Sequence, residues 1–284
     1  IGQTEAPLLV RPYINKMTRS ELMTLMTGGM ATIAGSVFAI YVAILGGGDA
    51  ATQAQVAKHL LTASMLNAPA AILVAKILVP QTEKIDTSAK INSKTEDRNL
   101  LDAIAKGTSE GLKLALNVGA MLLVFIALIA MINALMGWLG ALGPQGGLIN
   151  QLVLSASGGV FQELSLEAIF GFIFAPLAWV IGGESGDLLR LGQLLGTKMV
   201  SNEMIAYTQL GSLKEVGEIS GKGIYLATFA LCGFANFSSI GIQIGGIGAL
   251  APEKRGQLAE LGLKAMIGGT IASLITASLA GMFY

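Results

Sequence analysis

Charged residues are scarce in this sequence. Asp, Glu, Lys and Arg make up 13% of its 284 residues, against about 25% in an average soluble domain. Hydrophobic residues make up 53%, and the mean hydropathy is +0.67. This composition is typical of a membrane protein surrounded by lipid. The net charge is zero and no run of basic residues occurs, so no nucleic acid partner is expected.

Cysteine and histidine are nearly absent as well. The single cysteine, Cys232, excludes a disulfide within the chain. The single histidine, His59, has no second metal-ligating side chain at a suitable spacing, so we expect it at a membrane surface. An intramembrane enzyme would need a nucleophile with its base, or a set of metal ligands. The sequence therefore predicts neither an enzyme nor a cofactor.

Several apolar segments are long enough to cross a bilayer, which takes about 20 residues. The clear candidates are residues 23–45, 59–79, 116–137, 223–248 and 258–283. Segments 164–182 and 187–210 are interrupted by polar residues or proline. Between the candidates 59–79 and 116–137, residues 81–98 predict a mobile cytoplasmic loop, and residues 99–117 predict an amphipathic lead-in to the next span.

The Lys and Arg residues of the loops give an orientation. The positive-inside rule places three basic segments in the cytoplasm: residues 11–19, 80–98 and 249–257. The C-terminus then lies outside, with Lys214 and Lys222 as a minor exception. Residues 161–222 must start and finish outside, so they form either two full spans or a surface helix followed by a re-entrant hairpin. The polar pair Asn202 and Glu203 favours the hairpin, because a non-helical tip at membrane depth is tolerated only where it lines a cavity.

Two of the spans are interrupted in the same way. Residues 28–36 (G-G-M-A-T-I-A-G-S) and 232–241 (C-G-F-A-N-F-S-S-I-G) break apolar helices with glycines and hydroxyl groups. Each break follows a short tip that carries a glutamate, Glu5 or Glu203. The repeated order of tip, broken helix and intact helix predicts a transporter with its site near the membrane midplane. The alternative is simple close packing of glycine-rich helices.

The chain begins inside the first of these tips, I-G-Q-T-E-A-P-L-L-V-R-P, without an initiating Met. We therefore expect that an N-terminal part is missing. In a water-soluble protein, Glu5 before Pro7 would be an ordinary helix start. At membrane depth an ionisable side chain is costly, and it therefore indicates a functional site.

Six stretches match one known family in order along the whole chain. They are G-Q-T-E-A-P-L-L-V-R-P-Y (2–13), A-T-I-A-G-S-V (31–37), L-T-A-S-M-L-N-A-P-A (61–70), N-E-M-I-A-Y (202–207), L-C-G-F-A-N-F-S-S-I-G-I-Q-I-G-G (231–246) and A-L-A-P-E-K-R (249–255). Through these stretches the sequence resembles the concentrative nucleoside transporter family, and specifically most of its C-terminal part.

The resemblance implies an all-α, multi-pass membrane protein with inverted repeats, re-entrant helical hairpins and two broken transmembrane helices. It would lie in the bacterial inner membrane or plasma membrane, in contact with lipid, as a homotrimer. Residues 2–14 would form the tip and second arm of a cytoplasmic hairpin, residues 187–210 the outer hairpin, and residues 161–182 a surface helix. The implied units are residues 1–80 (first repeat of a transport domain), 81–115 (linker and amphipathic helix), 116–160 (scaffold and trimerisation helix with an outer loop) and 161–284 (second repeat of the transport domain).

The resemblance also implies a function, which is cation-coupled uptake of nucleosides by an elevator-type movement, with sodium as the coupling ion. The residues implied to contact the nucleobase are Gln3, Thr4 and Glu5, flanked by Ser36 and Val37. Those implied to hold the ribose are Glu203, Asn236 and Ser239, with the ring of Phe234 against the substrate. Sodium prefers oxygen ligands, and those implied are the hydroxyl of Thr32 and carbonyls near Ile1 and Ile33.

Other interpretations remain open at this point. A proton-coupled symporter would use a titrating carboxylate such as Glu5, and a channel would be lined by the same polar residues. Structural roles are also available, since Glu5 can cap a helix, Glu203 can pair with Lys198, and Asn236 can bridge two helices. The sequence does not decide between purine and pyrimidine substrates.

Overall fold

The computed structural model describes residues 2–85, 99–143 and 147–284, and within them the chain is helical without a β-strand. In chain order the helices are α1 (Ala6–Leu9), α2 (Arg11–Ile14), α3 (Arg19–Ala31), α4 (Gly35–Gly46), α5 (Ala50–Leu78), α6 (Leu100–Gly140), α7 (Leu148–Ala156), α8 (Leu166–Val180), α9 (Leu188–Val200), α10 (Glu203–Glu215), α11 (Gly221–Ala230), α12 (Phe237–Leu250) and α13 (Arg255–Gly281). A short 3-10 helix, Pro252–Lys254, precedes α13. Residues 86–98 of the predicted mobile loop lie outside the described residues.

Several helices begin at a side chain that caps their first turn. Thr18 and Glu21 form a reciprocal capping box at the start of α3. Asp49 accepts from Thr52 N at 2.8 Å at the start of α5, and Asn202 accepts from the third residue of α10 in the same way. These caps satisfy backbone N–H groups that a helix start leaves without partners.

Among the described residues, four helical stretches are long and apolar enough to cross a membrane: Arg19–Gly46, Ala50–Leu78, Leu100–Gly140 and Pro252–Gly281. The second begins well before the predicted residue 59, because the Asp49 cap starts the helix among polar residues. The predicted lead-in and the predicted span 116–137 form one 41-residue helix, α6. The segment 116–160, for which an outer loop was predicted, also contains the short helix α7.

The region between residues 161 and 222 contains three short helices. Helix α8 has 15 residues, and α9 and α10 have 13 each, which is less than the ~20 residues of a full span. A Cβ on Gly196 of α9 would lie 2.8 Å from Gly171 N of α8, so glycines allow these helices to pack closely. A surface helix followed by a hairpin fits this arrangement better than two spans.

Both predicted helix breaks are present. Residues 32–34 separate α3 from α4, and residues 231–236 separate α11 from α12. Each broken pair is followed by an unbroken helix, α5 or α13, and α3 and α11 both pack on α13. Gly233 in the second break has φ +151°, a region that favours glycine, and a Cβ there would lie 2.7 Å from Ala31 O. The two breaks therefore meet in the core, whereas α6 has only Gly140 buried.

Candidate functional site

A buried carboxylate lies at the tip of the second hairpin. Glu203, the first residue of α10, is 6% exposed, and both of its oxygens accept hydrogen bonds. Tyr41 Oη donates to Oε1 at 3.0 Å, and Asn236 Nδ2 donates to Oε2 at 3.2 Å. Such donors replace the water that a buried carboxylate loses. In the described part of the chain no ion pair joins Glu203 to Lys198, whose Nζ donates to Ala230 O at 2.9 Å.

The second helix break supplies two more polar side chains. Asn236 is the N-cap of α12, and its Oδ1 accepts from Ser239 N at 2.8 Å. Since its Nδ2 contacts Glu203, the amide is held at both ends. Ser239 Oγ accepts from Gln3 Nε2 at 3.0 Å. The tip of the first hairpin therefore contacts the second broken helix.

These side chains line one cavity of about 230 Å³. Its lining residues are Gln3, Leu122, Asn202, Glu203, Met204, Phe234, Asn236, Ser238, Ser239 and Ile242. The hydroxyl of Ser238 is buried without a hydrogen-bond partner among the described residues. A carboxylate, amides and hydroxyl groups beside an aromatic ring suit a ligand with several hydroxyl groups and an apolar or planar part.

The structure brings together five of the nine residues predicted for the nucleoside, and it leaves the other four out of the cavity lining. Thr4 is buried with its methyl group against Gly246. Glu5 is exposed, and its carboxylate folds back over Gly2. Ser36 is exposed and Val37 is half-buried, both in the first turn of α4.

The predicted cation ligands lie at the first helix break. Thr32 ends α3 in an extended conformation, and its Oγ1 donates to Gly28 O at 2.9 Å, which leaves lone pairs on the hydroxyl oxygen. Ile33 is 8% exposed, and Ile1 lies outside the described residues. The described residues contain no cluster of three or more His, Cys, Asp or Glu side chains suited to a metal. Hydroxyl and carbonyl oxygens at the break could hold an alkali cation.

Sequence reasoning missed three residues that organise this region. Tyr41 is fully buried and donates to Glu203. Asn67 of α5 donates to two backbone carbonyls, one in each of the two repeats. Gln243 is also fully buried, and its Nε2 donates to Gln3 Oε1 at 3.3 Å and to Met26 O at 3.0 Å. Each is a polar side chain inside an apolar span, and this was the signal available in the sequence.

The repeated order of elements, the helix breaks and the polar cavity define a class. They are the features of a multi-pass membrane protein that binds its ligand near the midplane, as secondary transporters do. The profile of a family described as Na⁺ dependent nucleoside transporter C-terminus matches residues 59–281. The chain therefore belongs to the concentrative nucleoside transporter family.

Individual relatives agree with this assignment. The chain is 43% identical to an uncharacterized transporter of Bacillus subtilis, YutK, over 100% of its own length and 64% of that protein. It is 36% identical to sodium/nucleoside cotransporter 1 of Rattus norvegicus, over 100% of the chain and 42% of that protein. The chain thus spans less than two thirds of the length of these relatives.

Solved structures of CNTnw show the same fold. A variant in an outward-facing state has a TM-score of 0.81 at 40% identity, over 100% of this chain and 62% of that one. The inward-facing, substrate-bound state has a TM-score of 0.71, with the same identity and coverage. The described arrangement therefore fits the outward-facing state better than the inward-facing one.

Proposed function

We propose that this chain forms the nucleoside-binding part of a symporter that moves nucleosides into the cell together with sodium. The observation that supports this most directly is the buried carboxylate of Glu203, which accepts from Tyr41 and Asn236 and lines a cavity between the two repeats together with Ser239. A carboxylate at membrane depth costs roughly 3 kcal/mol on insertion scales. A ligand with hydroxyl donors offsets that cost when it binds.

The cavity suggests how a nucleoside would lie. Glu203, Asn236 and Ser239 would bind the ribose hydroxyls, and Phe234 would contact the base. The amide of Gln3 would bind the polar edge of the base, after exchanging its bond to Ser239. Thr4, Glu5, Ser36 and Val37 do not line the cavity in this conformation, so they would approach the base only after the first hairpin and α4 move.

Sodium is the proposed coupling ion. Thr32 and the carbonyl of Ile33 would supply oxygens at a helix break, and the names of two relatives include sodium. The alternative is proton coupling through Glu5, which is exposed in this conformation. Replacement of external sodium by choline at fixed pH should abolish uptake. Uptake that persists and follows the pH gradient would contradict sodium coupling.

The helices suggest which parts move. Residues 1–80 and 161–284 would form most of a transport domain, with 81–115 as linker. The segment 116–160 would belong to a scaffold that contacts lipid and two further copies in a homotrimer. The exposed apolar surface of α6 is consistent with this role. An elevator movement would carry the hairpins and broken helices past α6 as one body.

The test is uptake of labelled uridine by the purified native protein in proteoliposomes with an inward sodium gradient. We expect uridine to accumulate above its external concentration and to remain chemically unchanged. A channel would only equalise the two concentrations, and an enzyme would convert the uridine. Either of these results would contradict the proposal.

A further inference from the structure

One side chain donates hydrogen bonds to a backbone carbonyl at each of the two helix breaks. Asn67 lies in the unbroken helix α5 and is fully buried. Its Nδ2 donates to Ala31 O and to Cys232 O, at 2.7 Å in each case. Ala31 is the last residue of α3, and Cys232 lies in the break between α11 and α12. An amide nitrogen has two hydrogens, so both are used here.

The contact between the breaks is close around this amide. A Cβ on Gly233 would lie 2.7 Å from Ala31 O, so the two backbones touch. Ser273 Oγ of α13 lies 3.2 Å from Cys232 O and 3.1 Å from Gly269 O, and its one hydrogen can be donated to only one of these carbonyls at a time. The Oδ1 of Asn67 is buried without a partner among the described residues. An unpaired buried acceptor is unfavourable. The two hydrogen bonds that Nδ2 donates must therefore stabilise the protein by more than the unpaired Oδ1 costs.

The two carbonyls belong to segments with different proposed ligands. Ala31 directly precedes Thr32 and Ile33, the proposed cation ligands. Cys232 is followed closely by Phe234 and Asn236, which line the nucleoside cavity.

We propose that Asn67 is a positioning residue that couples cation binding to nucleoside binding; this inference rests on the function proposed above. A cation that orders residues 32–34 also fixes Ala31 O. Through the Asn67 amide it fixes Cys232 O and the segment that carries Asn236. Two ligands that order the same structural element bind cooperatively, and each raises the affinity of the other by the same factor.

The experiment measures uridine affinity of the native protein in lipid nanodiscs, with and without sodium, at constant ionic strength. We expect sodium to raise the affinity of the native protein by about fivefold or more, the usual lower range for coupled sites. Asn67→Leu has a similar volume and no donor, and Asn67→Ser can serve only one carbonyl. We expect the sodium effect to fall below about twofold in the first variant and to be intermediate in the second.

Ser273→Ala is the matched control, because it removes a hydroxyl that lies beside the same carbonyl and keeps the amide bridge. We expect it to retain the native sodium effect. Variants of Asn67 that bind uridine more weakly with an unchanged sodium effect would overturn the coupling role. Misfolding of both Asn67 variants, with Ser273→Ala folded, would assign Asn67 a structural role and overturn it too. No sodium effect in the native protein would instead contradict the proposed sodium coupling, and this inference with it.

Discussion

Tyr41 and Glu203 join the two repeats of the chain at the candidate site. Tyr41 lies in α4 of the first repeat and Glu203 at the tip of the second hairpin, and the phenol donates to the carboxylate at 3.0 Å. The Tyr41 ring also stacks on Tyr207, with a centroid distance of 4.3 Å. The position of the buried carboxylate thus depends on residues that are far apart in the sequence.

Loss of the Tyr41 hydroxyl should weaken nucleoside binding. A hydrogen bond to a charged group contributes about 1.5–3 kcal/mol, so Tyr41→Phe should lower uridine affinity by roughly tenfold or more. Titration of uridine by calorimetry measures this directly. Tyr207→Phe is the control, because its hydroxyl donates to Thr228 O at 2.8 Å and does not contact Glu203. Tyr207→Phe should lower thermal stability slightly and bind uridine with near-native affinity. Equal uridine affinities in the two variants would count against a positioning role for Tyr41.

Gly233 should tolerate no larger residue. Its φ of +151° and the closeness of Ala31 O mean that a Cβ strains the backbone and pushes the two breaks apart. Gly233→Ala should lose about 1–3 kcal/mol of stability, visible as a lower Tm in detergent. Gly107→Ala, in an open position of helix α6, should leave Tm unchanged or raise it. A Gly233→Ala protein as stable as the native one would show that the breaks have room to separate.

Thr32 should affect sodium rather than uridine. Thr32→Val keeps the shape of the side chain and removes one proposed oxygen ligand. We expect the sodium concentration that gives half-maximal uptake to rise by about tenfold, equivalent to about 1.4 kcal/mol. Thr24→Val is the matched control, because Thr24 Oγ1 makes the same bond to the carbonyl four residues back, Ser20 O, at 2.9 Å. If both variants show the native sodium dependence, Thr32 is not a ligand.

The sequence predicted the elements of this fold well, for local reasons. Apolar length located the spans, and glycines and hydroxyl groups located both helix breaks, because these features act within one segment. The start of α5 and the short helix α7 were missed, because the length of an apolar run does not show where a capped or short helix begins.

The contacts within the site were harder to predict. Resemblance supplied Glu203, Asn236 and Ser239, but nothing local connects Tyr41 to Glu203 or Asn67 to Cys232. Such pairs are separated by more than 150 residues and arise only when the repeats pack together. Glu5, which the resemblance implies beside the nucleobase, is exposed in this conformation, and its role stays a prediction.

The central claim is that Glu203 binds a sugar hydroxyl, and its most direct test is Glu203→Gln measured with uridine and its 2′- and 3′-deoxy forms. The variant keeps the shape, loses the charge and turns part of the acceptor into a donor. Uridine transport should fall by roughly tenfold or more, and it should fall much less for the analogue without the hydroxyl that Glu203 binds. Glu253→Gln, on the exposed 3-10 helix, should transport all three like the native protein. An equal loss by Glu203→Gln with all three substrates would contradict the account.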